Sequence, residues 1–149
     1  EGLNYTSLRY SNVFGPRQNP HGEAGVVAIF AQKIIDGEKC IIFGDGTKTR
    51  DYIYIDDVVD ANIKALEKGD NDVFLIGTGE QVKDIEMYNA VKESLGSMEE
   101  PEFGEFRKGD IVHMQFDCSK AQKELEWKPK VSFREGVTKT IEWFTRKEV

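Results

Sequence analysis

Three polar side chains in this 149-residue chain stand where ionic ligand chemistry is plausible by type and position. Arg50 follows the glycine turn Gly44-Asp45-Gly46-Thr47 and opens an apolar strand. A guanidinium there offers a planar fork of donors that matches phosphate oxygens. Each such charge-assisted bond contributes about 1.5–3 kcal/mol net. Arg107, in Arg107-Lys108-Gly109-Asp110, leaves a predicted strand for a turn that Asp110 could close. Asn12 follows the first predicted strand, and its short amide can donate to a phosphate oxygen while accepting from backbone. The plainer alternatives are a surface ion pair of Arg50 with Asp45 or Asp51, and an Asx turn at Asn12.

Composition narrows the ligand classes. The net charge of -7 argues against a nucleic-acid surface, which needs a dense cationic face. An anionic ligand would have to be held by a few arginines against an unfavourable overall field. A hydrophobic content of 39% with 32% charged residues fits one globular α/β unit spanning 1–149. High Lys plus Glu hints at a heat-tolerant source. No apolar run approaches the ~20 residues that span a bilayer, so no membrane partner is expected. Cys40 and Cys118 have no Cys or His at metal-ligand spacing and read as buried thiols, consistent with a reducing cytoplasm. His21 and His113 are isolated, and no metal site is expected. The acidic run at Glu99, Glu100, Glu102 and Glu105 reads as a solvated face.

The elements that must position these groups follow from periodicity. Residues 3–10 read as a strand, followed by loop to about Gly25. Val26, Val27, Phe30 and Ile34 recur at helical spacing, with Gly37 as a stop. Cys40 to Phe43 is a short strand, and Arg50 to Ile55 alternates as a half-buried one. Asp56 or Asp57 would cap a helix whose buried stripe is Val59, Ile63 and Leu66, ended by Gly69. Val73 to Ile76 is a strand, Gly77-Thr78-Gly79 a turn, and Ile85, Tyr88, Val91 and Leu95 a helix face. A strand around Phe103 to Phe106 and a short helix from Ser119 to Leu125 follow. Ser132-Phe133-Arg134-Glu135 is a capping box opening a final helix that turns Val137, Ile141 and Phe144 inward.

Four segments, in order, resemble one family. Leu8-Arg9-Tyr10-Ser11-Asn12-Val13-Phe14-Gly15-Pro16-Arg17-Gln18 is similar to its L-R-Y-x-N-V-x-G-P-R-Q segment. Gly44 to Asp57 resembles G-D-G-x-x-x-R-D-[YF]-[IV]-x-[IV]-x-D. Arg107-Lys108-Gly109-Asp110 resembles R-x-G-D, and Asp117-Cys118-Ser119-Lys120-Ala121 with Leu125-Glu126-Trp127-Lys128-Pro129 resembles D-x-S-K-A and L-G-W-x-P. Glu126 replaces the usual glycine, suggesting a different helix cap. The family is the extended short-chain dehydrogenase/reductases of the NAD-dependent epimerase/dehydratase type, which act on nucleotide sugars.

The resemblance implies the C-terminal substrate-binding part of an extended Rossmann-type fold, a small mixed sheet with flanking helices. The NAD-binding part would then lie outside these residues. It also implies that Arg50 and Arg107 bind the diphosphate, Asn12 contacts the substrate phosphate and Asp110 lies near the ribose. Phe43 and Val26 would line the base and sugar, although either could equally be core. Ser11 would approach the nicotinamide of NAD through its backbone. The catalytic Tyr-x-x-x-Lys precedes these motifs in the family, so this chain supplies no catalytic residue and is expected to be inactive alone. A UDP-sugar is the favoured ligand, and a homodimer is one arrangement open to the full-length enzyme. A 4,6-dehydratase or decarboxylase of the same fold stands second, and a non-catalytic RNA-associated or regulatory relative third.

Two matches are expected to be fortuitous. Tyr88 and Lys92 have the catalytic spacing but follow the substrate motifs, and Tyr88 completes an apolar stripe. Gly77-Thr78-Gly79 sits between strand and helix like a dinucleotide fingerprint, but it lacks the third glycine that allows close helix–strand packing.

Overall fold

A computed structural model describes residues 2–22 and 25–146. In chain order the elements are β1 (Thr6–Tyr10), β2 (Asn12–Phe14), α1 (Val26–Ile35), β3 (Ile41–Phe43), β4 (Thr49–Arg50), β5 (Tyr52–Tyr54) and α2 (Ile55–Ala65). There follow β6 (Asp72–Ile76), β7 (Val82–Lys83), α3 (Asp84–Ser94), β8 (Glu102–Gly104), α4 (Ser119–Glu124) and α5 (Phe133–Thr145). The expected loop to Gly25 includes residues 23–24, which lie outside the described residues.

The strand pairing is mixed, as expected, but it is divided into short two-stranded ladders. β1–β6, β2–β5 and β3–β8 are parallel, while β4–β7 is antiparallel. The division between the first two ladders falls at Ser11. Its N–H donates to the Ile76 carbonyl at 2.9 Å, whereas the Asn12 N–H donates to the Asp51 carbonyl at 2.9 Å. The chain therefore changes partner from β6 to β5 within one residue. Such points of divergence open the crevices in which α/β folds bind ligands.

β5 is buried throughout, not half-buried. The alternation is correct in period, but each face meets its own core. Tyr52 and Tyr54 join Phe14, Phe30, Tyr88, Val91, Val137 and Ile141. Ile53 joins Val58, Phe74, Ile76, Leu125 and Trp127 on the other side. Rings of Phe14 and Tyr54 meet edge to face with centroids 5.8 Å apart, a favoured geometry for aromatic quadrupoles. α5 begins at the expected Ser132, but only half of the capping box forms: the Ser132 hydroxyl accepts from the Glu135 N–H at 3.3 Å, while no bond returns from the Glu135 carboxylate to the Ser132 N–H. Glu135 itself pairs with Lys139 at 2.8 Å.

The expected stripe of α2 is wrong. Val59, Ile63 and Leu66 face outward, at 49%, 57% and 87% exposure, while Asp57, Val58 and Ala61 are buried. Neither Asp56 nor Asp57 caps the helix, because its N-cap is Tyr54. Asp57 has another task. Its carboxylate accepts the Lys130 N–H at 2.9 Å and the Val131 N–H at 3.1 Å. Its carbonyl accepts the Trp127 indole N–H at 3.0 Å. A carboxylate buried at 2% must find donors, and that requirement turns this face of α2 inward. Glu126 adopts φ 52°, the left-handed conformation that the glycine it replaces would take without strain.

A second buried carboxylate organises the centre. Asp51 is fully buried and accepts from five neutral donors. Ser11 Oγ (3.2 Å), Thr78 N (2.8 Å) and Thr78 Oγ1 (2.8 Å) reach Oδ1. Gly79 N (2.9 Å) and Phe116 N (3.2 Å) reach Oδ2. Gly77 has no room for a side chain, since a Cβ there would lie 2.8 Å from Oδ2. Asp51→Asn keeps the shape but points an NH2 at N–H donors. It should lower unfolding stability by at least about 3 kcal/mol in urea titration, given the strength of bonds to charged groups. A loss below about 1 kcal/mol would mean that the carboxylate charge is not what holds these segments.

Candidate functional site

Asn12, Val26, Phe43, Arg50, Arg107 and Asp110 all line one cavity of about 860 Å3. They come from β2, the first turn of α1, β3, β4 and the irregular segment after β8. Ser11 lies in an adjoining cleft of about 350 Å3 that shares Asn12, Val26 and Tyr52 with the first. Four lining side chains are cationic (Lys33, Lys48, Arg50, Arg107) and two acidic (Asp84, Asp110). A chain of net charge -7 thus concentrates positive charge in this concavity. That arrangement focuses the local field toward an anion despite the unfavourable total.

Arg50 sits on β4, where its residue pairs with Val82 of β7. One guanidinium N–H donates to the Thr49 carbonyl at 2.8 Å, which fixes the base of the fork. The alternative pairings are not made: Asp51 spends its oxygens on five other donors, and Asp45 accepts from Thr47 Oγ1 at 2.6 Å. Arg107 stacks on the Phe43 ring, its central carbon 3.6 Å from the centroid. This stack is worth about 0.5–1 kcal/mol at an exposed position. Phe43 is therefore part of the cavity wall rather than core, whereas Val26 is half-buried at its edge.

Asp110 has two roles in the turn. Its N–H donates to the Arg107 carbonyl at 3.2 Å, closing the turn as anticipated. Its Oδ2 accepts from Lys48 Nζ at 2.6 Å. That hydrogen bond holds the Asp110 carboxyl below the usual range. Asp84, 3.6 Å from the same ammonium, is pushed up by burial, which outweighs the attraction of Lys48 and Arg50. Burial likewise raises the Tyr52 phenol.

Lys48, Asp84 and Asp51 were missed in the sequence. Lys48 falls between a glycine turn and Arg50, and nothing local marks it as buried at 5%. Its partner Asp110 lies 62 residues away. Asp51 carried a signal as the aspartate of the R-D motif, but its chemistry was read as that of a surface partner of Arg50.

Both fortuitous matches have structural explanations. Tyr88 is buried in the first core, its hydroxyl donating to the Glu99 carbonyl at 2.9 Å, and burial raises its pKa. Lys92 pairs with Glu100 at 2.7 Å. At Gly77-Thr78-Gly79 the amides that a phosphate would need already donate to Asp51. Cys40 and Cys118 are free and buried, with burial pushing the Cys118 thiol up to about 11. Among the described residues there is no metal-ligand cluster and no helix long and apolar enough to cross a membrane.

Parallel ladders that diverge beside a locally cationic, aromatic-walled cavity define an α/β protein with a ligand-sized cleft at the divergence. Residues 1–77 match the NAD dependent epimerase/dehydratase family, and the chain belongs to that family. It is 43% identical over 146 residues to a UDP-glucose 4-epimerase of Mycolicibacterium smegmatis, covering 97% of this chain and 47% of the relative. Its structure is similar to that of the Thermotoga maritima UDP-glucose 4-epimerase with UDP-glucose, at TM-score 0.92 and 52% identity, covering 95% of this chain and 46% of the other. It is also similar to the Thermus thermophilus UDP-glucose 4-epimerase complex with NAD, at TM-score 0.86 and 40% identity, with 95% and 47% covered. Dehydratases and decarboxylases occur among the less similar relatives. The chain spans about half the length of the relatives it matches.

Tyr88→Phe should leave binding of UDP within twofold, as measured by calorimetry. It should cost about 1 kcal/mol of stability for the lost hydrogen bond. A large loss of binding at unchanged stability would return Tyr88 to the site.

Proposed function

We propose that this chain anchors the nucleotide diphosphate of a nucleotide sugar, most similar in role to the corresponding part of a UDP-glucose 4-epimerase. The single supporting observation is that Arg50 and Arg107, distant in sequence, line one cavity. In this reading both guanidinium groups and the Asn12 amide hold phosphate oxygens. Asp110 accepts from the ribose, Phe43 and Val26 contact base and sugar, and the Ser11 backbone borders the nicotinamide. Binding energy at the nucleotide then positions the sugar ring for chemistry performed elsewhere. The Tyr-x-x-x-Lys pair and most of the NAD site belong to sequence outside these residues, so the chain alone has no activity. The full protein works in the cytoplasm, and a homodimer is one arrangement open to it.

A 4,6-dehydratase or decarboxylase reading uses the same anchor, since the residues that would separate these reactions lie mainly upstream of the matched motifs. An RNA-associated role is disfavoured by the net charge and by the confinement of the cavity cations to a concavity.

Arg50→Ala should weaken UDP binding at least about tenfold, equivalent to one lost charge-assisted bond of about 1.4 kcal/mol. Calorimetric titration with UDP, and with single-stranded RNA as a competitor, tests this directly. Unchanged UDP affinity would remove Arg50 from the site. Strong RNA binding without nucleotide preference would replace the proposal.

A further inference from the structure

Lys48 is a buried ammonium whose task is not explained by the two arginines. Its side chain is 6% exposed, and its Nζ lies 2.6 Å from Asp110 Oδ2 and 3.6 Å from Asp84 Oδ2. The Phe106 ring covers it, with the centroid at 5.3 Å. Its backbone is fixed as well, since the Lys48 carbonyl accepts the Asp84 N–H at 2.9 Å. The ammonium is thus held at the N-terminus of α3 and reaches across the cavity to the segment that carries Arg107.

That segment has little else to hold it. Residues 105–113 contain no helix or ladder strand and are exposed except for Asp110. The segment is pinned at its ends, where the Gly44 N–H donates to the Gly104 carbonyl at 3.0 Å and the Thr49 N–H to the Val112 carbonyl at 2.9 Å. Between these points it meets the body of the protein through Phe106 against Gly44, Arg107 on Phe43, and Asp110 on Lys48. Only the last is ionic, and one of its partners is buried and already positioned. Ordering a rotamer-rich arginine on a loose loop at the moment of binding costs affinity, whereas ordering it beforehand does not.

We infer that Lys48 is a positioning residue: through Asp110 it fastens the 105–111 segment and so sets the Arg107 guanidinium toward an incoming diphosphate. Asp110 uses Oδ2 for this contact, which leaves Oδ1 free to accept from a ligand hydroxyl. The inference rests on the nucleotide-binding reading for its ligand but not for its mechanics.

Two measurements separate the two. Without ligand, Lys48→Met should speed hydrogen exchange at least tenfold at the Asp110 amide, the N–H in residues 105–111 that donates to a backbone carbonyl, while Lys48→Arg, which keeps a cation, should restore most of the protection. With UDP, K48M should weaken binding about five- to tenfold. It should add less than a twofold further loss to Arg107→Ala, yet its full loss to Arg50→Ala. Unchanged exchange at that amide overturns the fastening, whatever UDP does. Full additivity with R107A overturns the route through Arg107 and makes Lys48 a direct ligand contact. A lowered melting temperature with unaltered UDP affinity reduces Lys48 to a purely structural residue. If the unaltered protein does not bind UDP, the nucleotide reading fails, and the exchange result alone decides whether Lys48 fastens the segment.

Discussion

The architecture depends on burying the Asp51 carboxylate among neutral donors. A charge moved from water into the interior costs several kcal/mol unless its lone pairs are satisfied. Here the donors come from the end of β1, from the turn after β6 and from the strand-less stretch before α4. No two of those segments are neighbours in sequence, so satisfying one side chain fixes all three relative to β5. The carboxylate also sits beside Ser11, where the chain changes ladder. The crevice and its anchor are one construction.

Arg50 gains its position from the same residue pair. With Asp51 directed inward and its backbone carbonyl bonded to Asn12, the adjacent guanidinium is left on the cavity side of the strand. An arginine next to an aspartate would ordinarily pair with it and lose its value for an external anion. The five donors on Asp51 prevent that. The cavity carboxylates form no ion pair with Arg50 either: Asp110 is bound to Lys48, and Asp84 attracts Arg50 without a salt bridge, while Asp45 is folded onto its own turn. A diphosphate would therefore meet guanidinium groups that are not already engaged by carboxylates.

Much of this was legible where the determinants are local. The Ser132 cap, the inward stripe of α5 and the burial of Tyr88 follow from spacing within a single helix. Order along the chain also carried Arg50, Arg107 and Asn12 to a common cavity, because each stands at the end of a strand or turn. The failures have a shared cause. The face of α2 was misassigned because it is set by donors at Lys130 and Val131, 73 and 74 residues from Asp57. Apolar spacing alone prefers Val59, Ile63 and Leu66. Likewise β5 alternates in pattern but is enclosed on both sides, and Lys48 resembles any surface lysine until Asp110 is placed beside it.

The distant ties of Asp57 also bear on how the molecule is made. Val137 and Ile141 complete the core that contains Phe14 and Tyr54, and Trp127 completes the other. Neither interior can close until those late residues have left the ribosome. During synthesis at about 5–20 residues per second, the aromatic strand faces formed earlier wait several seconds without cover. That interval, rather than the finished fold, is when the nascent polypeptide is most exposed to misassociation and most in need of a chaperone.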